Sequence, residues 1–274
     1  MKKNMHPVLL RIGSLPINSY GLMLAISFLL GVKLAARRAS KLGIPPDETT
    51  NLSIWIMAAA IIGSRAFYVA THMEQYAGDP IAAVAFWNGL YGLSMLGGVV
   101  LAMATGFTWI AKKKWPVWSF ADAVIPSFAL GIFITRIGCF LNGCCFGSET
   151  SCSLGVSFPQ GSLPHSVFGS STIHPAQLYS SAGGLLILAV LLTADRRGHF
   201  PGFIFTLFTG LYGATRFGME EFRYFDHAPS GVFGYSHFAG RPGMTDNQLI
   251  SLGMVIFSIG LGIWLYSRER KKLS

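Results

Sequence analysis

Charged residues are scarce in this sequence: aspartate, glutamate, lysine and arginine make up 12% of its 274 residues. Soluble domains carry about a quarter of such residues, so the composition argues against an ordinary soluble domain. Acidic residues are the scarcer kind, 12 against 21 lysines and arginines. The basic residues gather in short clusters beside apolar runs, without a nucleic-acid-binding motif. We therefore expect them to orient the chain in a membrane, and we expect no nucleic-acid partner.

Several motifs of soluble enzymes are missing as well. The sequence has no phosphate-binding glycine loop, no serine nucleophile elbow and no helix with paired metal ligands, so we expect no cofactor and no metal ion. No internal repeat or low-complexity tract divides residues 1–274, which favours a single helical membrane domain. Arg37 and Arg38 follow the first apolar run where a signal peptide would have a cleavage site, which predicts a retained first helix.

Apolar runs are what the sequence has in abundance. Crossing about 30 Å of hydrocarbon takes about 20 residues, and seven windows approach that length. We therefore predict an all-α polytopic membrane protein with seven transmembrane helices. The seven windows are residues 19–36, 52–70, 90–111, 120–141, 175–194, 202–219 and 248–266.

Two glycine pairs, Gly97 with Gly98 and Gly183 with Gly184, predict close helix contacts and not ligand cradles.

Four basic clusters predict the orientation of these helices. They follow the first, third, fifth and seventh windows, and cationic loops are retained in the cytoplasm. The N-terminus is then outside, the C-terminus is cytoplasmic, and the outer loops are residues 71–89, 142–173 and 224–247. Loops of this length are frequently functional. The clusters are Arg37, Arg38 and Lys41; Lys112, Lys113 and Lys114; Arg196 and Arg197; and Arg268, Arg270, Lys271 and Lys272.

Residues 136–147 place a cation at the outer end of the fourth window. The stretch contains Arg136, the side-chain amide of Asn142, three glycines and three of the four cysteines. An ionised side chain at such a depth is costly in lipid, so it is usually retained for function and faces a protein cavity or a partner. We expect the chemistry of this protein to take place around Arg136.

Three charged residues lie near the outer end of the sixth window. Arg216, Glu220 and Arg223 fall at positions i, i+4 and i+7, so we expect them to share one helical face. One interpretation is an anion site, in which a guanidinium fork holds a phosphate while the carboxylate orients it. The other is an ion pair that merely neutralises charge at the membrane boundary. A third arginine, Arg136 on another helix, favours the anion site.

Arg65 and His174 each admit two interpretations. Arg65 interrupts the second window, where it either pairs with a buried acid or lipid head group, or extends to the interface. It lies far from the end of the window, which favours the first. His174 precedes a proline that suits a first helical turn, so it either belongs to a helix cap or moves a proton.

The four cysteines are Cys139, Cys144, Cys145 and Cys152, and their spacing lacks the two paired ligand sets of a zinc site. Because disulfides persist outside the cytoplasm, we expect Cys144 or Cys145 to be bonded to Cys152 and to fix the outer loop. A nucleophilic thiol is the alternative, although no adjacent base is apparent in the sequence.

These motifs together resemble the prolipoprotein diacylglyceryl transferase family of bacterial membrane enzymes. The resemblance covers nearly the whole chain, in the family's order, and seven spans with an outer N-terminus also fit that family. The matching stretches are Ser19-Tyr-Gly-Leu-Met23, Gly63-Ser-Arg65, residues 136–147, His174-Pro-Ala-Gln-Leu-Tyr179, Thr215-Arg-Phe-Gly-Met-Glu-Glu-Phe-Arg223 and Asn247-Gln-Leu-Ile-Ser251.

The resemblance implies a reaction and roles for these residues. Family members act at the outer face of the bacterial cytoplasmic (inner) membrane, where the cysteine of a lipoprotein precursor attacks the glyceryl carbon of phosphatidylglycerol. Glycerol phosphate leaves and a thioether remains. Arg136 and Arg216 would then hold the lipid phosphate. The other matching positions, implied in substrate placement or in supporting these arginines, are Tyr20, Asn142, Gly147, Glu220 and Arg223.

Three positions depart from the family pattern. Leu96 stands before Gly97 where the family usually has a histidine, so either His174 substitutes for it or the arginines alone lower the pKa of the substrate thiol. Cys139 and Cys144 stand where the family usually has asparagine and glutamate. Two alternatives to the transferase therefore remain: a divergent member that acts on another acceptor, and a non-catalytic phospholipid-binding membrane protein.

Overall fold

The structure is a computed structural model that describes residues 8–12, 15–76, 78, 80–83, 92–224 and 245–273. The prediction of a helical chain is confirmed, and an antiparallel pair of short strands precedes the first helix. The elements are β1 (Val8–Ile12), β2 (Leu15–Asn18), α1 (Ser19–Ala39), α2 (Pro46–Thr71), α3 (Met95–Lys113), α4 (Val117–Asn142), α5 (Leu163–Phe168), α6 (Ala176–Ala194), α7 (Phe203–Met219) and α8 (Asp246–Leu273).

Six of the described helices are long and apolar enough to cross a membrane: α1, α2, α3, α4, α6 and α8. Large apolar side chains on them are exposed, among them Leu29, Ile62, Leu186 and Ile256, as expected for surfaces that face lipid. The predicted sixth span corresponds to α7, whose 17 residues reach about 26 Å, short of the hydrocarbon thickness. A count of seven spans is therefore not confirmed.

The predicted outer loops contain short helical elements. Residues 71–89 include single turns at Met73–Tyr76 and Pro80–Ala83, and residues 142–173 include α5. Most of the third predicted loop, residues 225–244, lies outside the described residues.

The chain divides into two compact units. The first comprises Met1–Ala35 and Ala121–Ser274, and the second comprises Ala36–Phe120. In the first unit, Gly184 of α6 packs closely on α4, since a Cβ there would lie 2.9 Å from the backbone nitrogen of Phe133. The buried core between α4, α6 and α7 consists of Ile125, Ala129, Ile187, Leu188, Leu191 and Ile204.

A buried carboxylate of α4 holds the start of α7. Asp122 accepts hydrogen bonds from the backbone nitrogens of Gly202 (2.6 Å) and Phe205 (2.8 Å). These nitrogens belong to the first turn of α7, where backbone donors have no partner within the helix and an anion is favoured. This contact sets the position of α7, and with it the position of Arg216 near its other end.

In the second unit, α2 and α3 pack through glycines. A Cβ at Gly97 would overlap the carbonyl oxygen of Gly63, and a Cβ at Gly63 would overlap that of Gly97. A Cβ at Gly98 would overlap the Ser64 hydroxyl. The prediction of close helix contacts is thus confirmed for Gly97 and Gly98, as it is for Gly184, whereas Gly183 has open space around its Cα.

Candidate active site

Arg136 and Arg216 line one cavity in the first unit. It has a volume of about 280 Å³ and lies between the C-terminal turns of α4 and α7, with α6 forming a third wall. Most of the wall is apolar or aromatic, including Ile132, Tyr212 and Phe222. The two arginines predicted from the sequence are therefore brought together from different helices, in a pocket that suits an anion with an apolar tail.

A buried network holds Arg216. Glu220 is 4% exposed, and its Oε2 accepts a hydrogen bond from Arg216 Nη1 in an ion pair. The other carboxylate oxygen accepts hydrogen bonds from Asn247 Nδ2 (2.7 Å) and Thr245 Oγ1 (3.0 Å). Because both oxygens of this buried carboxylate have partners, Glu220 fixes the orientation of the Arg216 guanidinium. No sequence pattern indicated Thr245, which reaches Glu220 because α8 packs on α7.

The expectation that Arg216, Glu220 and Arg223 share one helical face is wrong for Arg223. Helix α7 ends at Met219, a single 3₁₀ turn follows, and Arg223 is extended, with φ −87° and ψ 142°. Its backbone pairs with that of Gly147 in an isolated bridge. Burial, followed by the charge of Arg216, lowers the pKa of the Arg223 guanidinium.

Gly147 joins three segments of the site. Its backbone nitrogen donates to the carbonyl oxygen of His174 (3.1 Å), and the next residue, Ser148, donates to that of Phe222 (3.1 Å). A Cβ at Gly147 would overlap both of these carbonyl oxygens. Glycine is therefore required here for close backbone approach, and the residue matched by resemblance has a structural reason to be present.

His174 lies directly behind the wall of the cavity. Its Nδ1 is 3.3 Å from the hydroxyl of Tyr179, a cavity residue, and its ring packs edge-on against Phe222 with centroids 5.2 Å apart. The cap of α6 lies at the neighbouring residue Pro175, and the backbone nitrogen of Ala176 donates to the carbonyl oxygen of His174 (2.8 Å), so His174 adjoins the helix cap through its backbone. Movement of a proton remains the prediction for His174.

The expected disulfide to Cys152 is absent from the structure, in which all four cysteines are thiols. The sulfur atoms of Cys139, Cys144 and Cys145 lie within 4.8 Å of one another. The chain reverses after α4 at Gly143, with φ 75°, and the backbone nitrogen of Cys144 then donates to the carbonyl oxygen of Cys139 (3.2 Å). This reversal directs Cys144 and Cys145 toward Cys139.

Cys145 is the most unusual of the three thiols. Its backbone is left-handed, with φ 57°, a conformation that a residue with a side chain adopts rarely and at some energetic cost. Hydrogen bonds from the Cys139 and Cys144 thiols, and then the charges of Arg136 and Arg223, lower the pKa of the Cys145 thiol.

Gln177 is a residue of this site that the sequence analysis did not single out. It is fully buried in the first turn of α6, and its Nε2 donates to the carbonyl oxygen of Cys144 (2.8 Å). Its Oε1 has no hydrogen-bond partner among the described residues. An amide within an apolar window was a usable signal, because buried polar side chains in membrane helices are usually functional.

The remaining predicted residues fall in two places. Tyr20 opens α1 beside α4, since a Cβ at Gly138 would lie 3.5 Å from Tyr20 Cα, and Asn142 ends α4. Arg65 belongs to the second unit, where Nε donates to the carbonyl oxygen of Ala83 (2.8 Å) and Nη1 to that of Gly92 (3.2 Å). Arg65 therefore holds the segment between α2 and α3.

The chain is similar to known proteins over nearly its whole length. Residues 7–264 match the family described as prolipoprotein diacylglyceryl transferase. A phosphatidylglycerol–prolipoprotein diacylglyceryl transferase of Clostridium tetani is 32% identical, over 97% of this chain and 98% of the relative. The proteins of the same description from Synechococcus elongatus and Bacillus cytotoxicus are 30% and 31% identical, over 96% and 92% of this chain and 89% of each relative.

Proposed function

The chain belongs to the prolipoprotein diacylglyceryl transferase family, and we propose that it transfers the diacylglyceryl group of phosphatidylglycerol to the cysteine of lipoprotein precursors. The observation that supports this most directly is the pair of arginines in one largely apolar cavity. Arg136 and Arg216 hold the lipid phosphate there, and the apolar wall accommodates the glyceryl end of the lipid.

The arginines also assist the chemical step. The precursor thiolate attacks the glyceryl carbon, a carbon–sulfur bond forms, and the carbon–oxygen bond to phosphate breaks. Glycerol phosphate leaves with more negative charge than the diester carried, so guanidinium donors already in place stabilise the transition state. Glu220 fixes Arg216 without neutralising Arg136, which leaves net positive charge for the phosphate.

His174 accepts the proton of the substrate thiol. The family's usual histidine is replaced by Leu96, whereas His174 is hydrogen-bonded to a tyrosine of the cavity wall. Tyr20, Asn142, Gly147 and Arg223 surround the same outer end of the first unit and position the substrates.

The protein lies in the bacterial cytoplasmic (inner) membrane as seven spans, with its N-terminus outside and its site facing outward. The last turns of α1, α3 and α8 carry basic residues, which favour cytoplasmic ends. Helices α4 and α7 run in the opposite direction, and Arg136 and Arg216 lie near their C-terminal ends, which are then the outer ends. The 3₁₀ turn Glu220–Phe222 adds about 6 Å to α7, which makes it long enough to cross.

One observation favours transfer to another acceptor. Cys139 and Cys144 replace an amide and a carboxylate beside Arg136, so the surroundings of the attacking group differ from the family pattern. The other alternative, a non-catalytic phospholipid-binding protein, requires only the cavity that Arg136 and Arg216 line.

The test is transfer by the purified chain in detergent micelles that contain phosphatidylglycerol and a peptide with a lipoprotein-type cysteine. We expect the peptide mass to increase by one diacylglyceryl group, and no increase with phosphatidylethanolamine or with a serine peptide. An unchanged mass, under conditions where a histidine-bearing relative works, contradicts the proposal. Retained binding of phosphatidylglycerol in that case would identify a phospholipid-binding protein.

A further inference from the structure

Three thiols converge at the outer end of α4, which the sequence spacing did not predict. The sulfur atoms of Cys139, Cys144 and Cys145 lie within 4.8 Å of one another. A metal ion about 2.3 Å from each of three thiolates requires sulfur–sulfur separations of about 4 Å. The trio is therefore close to coordination geometry.

Backbone hydrogen bonds hold this trio together. The carbonyl oxygen of Cys139 accepts from the backbone nitrogens of Gly143 (2.9 Å) and Cys144 (3.2 Å), and Cys144 Sγ lies 3.7 Å from the same oxygen. Gln177 Nε2 holds the next carbonyl, that of Cys144, at 2.8 Å. A site organised before binding costs less ordering entropy when the ion arrives.

Two features of the trio select a class of ion. Thiolates are soft ligands that favour copper(I), zinc and related ions, and this group contains three sulfur atoms and no other ligand type among the described residues. Structural zinc takes four protein ligands. Three thiolates around a monovalent ion carry a net charge of −2, and the positive charges of Arg136 and Arg223 act on the trio at Cys145.

We propose that Cys139, Cys144 and Cys145 form a three-coordinate site for a soft monovalent metal ion such as copper(I). Cys139 supplies the buried ligand, Cys145 the exposed one, and Cys144 lies between them in burial. Cys152 is outside the trio and takes no part.

The test is competition for copper(I) between a chromophoric chelator and the full-length chain, reduced with a phosphine in detergent without oxygen. We expect one ion per chain, with X-ray absorption giving three sulfur neighbours. The Cys145→Ser and Cys144→Ser variants should each weaken binding by at least about 100-fold, because a directly bound ligand contributes more than an outer-shell partner. The matched control, Cys152→Ser, should bind as the unchanged chain does.

Either of two results would overturn the site. One is a chain that fails to compete with the chelator; the other is Cys145→Ser binding copper(I) as tightly as Cys152→Ser. Cys145 is exposed, so its replacement should leave the elution volume and circular dichroism unchanged, which separates ligand loss from unfolding. If zinc binds more tightly than copper(I), the ion class is wrong. Binding is measured without transferase activity, so failure of the proposed function has no bearing on this outcome.

Discussion

Arg216 in α7 and Arg65 in α2 are both cations within apolar helices, but they have different partners. Arg65 donates to two backbone carbonyls, and its guanidinium lies 5.4 Å from the ring centroid of Tyr76. Arg216 is paired with a buried carboxylate and lines a cavity that it shares with a second arginine. We therefore expect Arg216, which reaches a cavity, to bind a ligand, and Arg65, which donates to backbone carbonyls, to be a structural contact.

The largest expected effect comes from Arg216→Ala. Transfer should fall by about 10³-fold, because an aligned donor to the leaving phosphate is lost. Arg216→Lys should recover only part of the rate, since an ammonium group lacks the planar fork. Peptide mass against time measures both. Arg268→Ala is the matched control: that guanidinium lies over the ring of Trp264 in the last turns of α8, and its loss should leave the rate unchanged. A near-normal rate for Arg216→Ala would refute the role of Arg216.

Glu220→Gln should have the next largest effect, a loss of transfer of about 10²-fold. The change removes the charge that orients Arg216 and leaves a partly buried cation uncompensated, so we also expect unfolding to become easier by about 2–3 kcal/mol. Steady-state kinetics and thermal unfolding measure the two effects. The neighbouring Glu221→Gln removes an exposed carboxylate that accepts from Gln248 (2.6 Å) and should change neither by much. Equal effects of the two substitutions would show that Glu220 has no special function.

Arg65→Met should reduce transfer by less than about 10-fold if Arg65 is a structural contact. Its loss should release the segment around Pro80–Ala83, so that limited proteolysis there becomes faster. Arg65→Lys should not restore protection, because one ammonium group cannot replace two separately directed donors. A different result would support substrate binding by Arg65: Arg65→Met loses transfer as completely as Arg216→Ala does, while the segment around Pro80–Ala83 still resists proteolysis. That result would contradict the assignment of Arg65 as a structural contact.

The smallest effect is a change in pH dependence at Cys145. Its depressed pKa keeps the thiolate populated at pH values below the ordinary thiol pKa of about 8.5, so alkylation of Cys145 should persist as the pH falls below that value. The lowered pKa also stabilises the folded state at pH values above the pKa that the Cys145 thiol has in the unfolded chain. This contribution is lost as the pH falls through the lower pKa that the thiol has in the folded protein. Cys144→Ala removes a thiol hydrogen bond and should move the alkylation midpoint upward. Mass spectrometry of the peptide that contains Cys145 measures it, and a midpoint at the ordinary value would contradict the shift.

The positions of single residues show how far sequence reasoning extends. Arg136 and Arg216 could be singled out as candidates because a cation in an apolar window is costly, but the same argument singled out Arg65, whose donors reach backbone carbonyls. Arg223 was misplaced because the i, i+4, i+7 pattern assumes a continuous helix, whereas α7 ends at Met219. Cys144 and Cys145 were paired with the wrong partner because their neighbour depends on the reversal at Gly143.

The sequence by itself determined the membrane class, most helix positions and the family. The bilayer core holds no water, so the chain must cross it as long apolar helices, and these are visible as apolar runs of about 20 residues. Only the tertiary structure decided which arginine reaches a cavity, which hydroxyl and amide hold Glu220, and which sulfur atoms meet. Those contacts join residues far apart in the chain, such as Glu220 with Asn247 and Cys144 with Gln177. Their formation depends on how helices pack, which no local pattern of residues encodes.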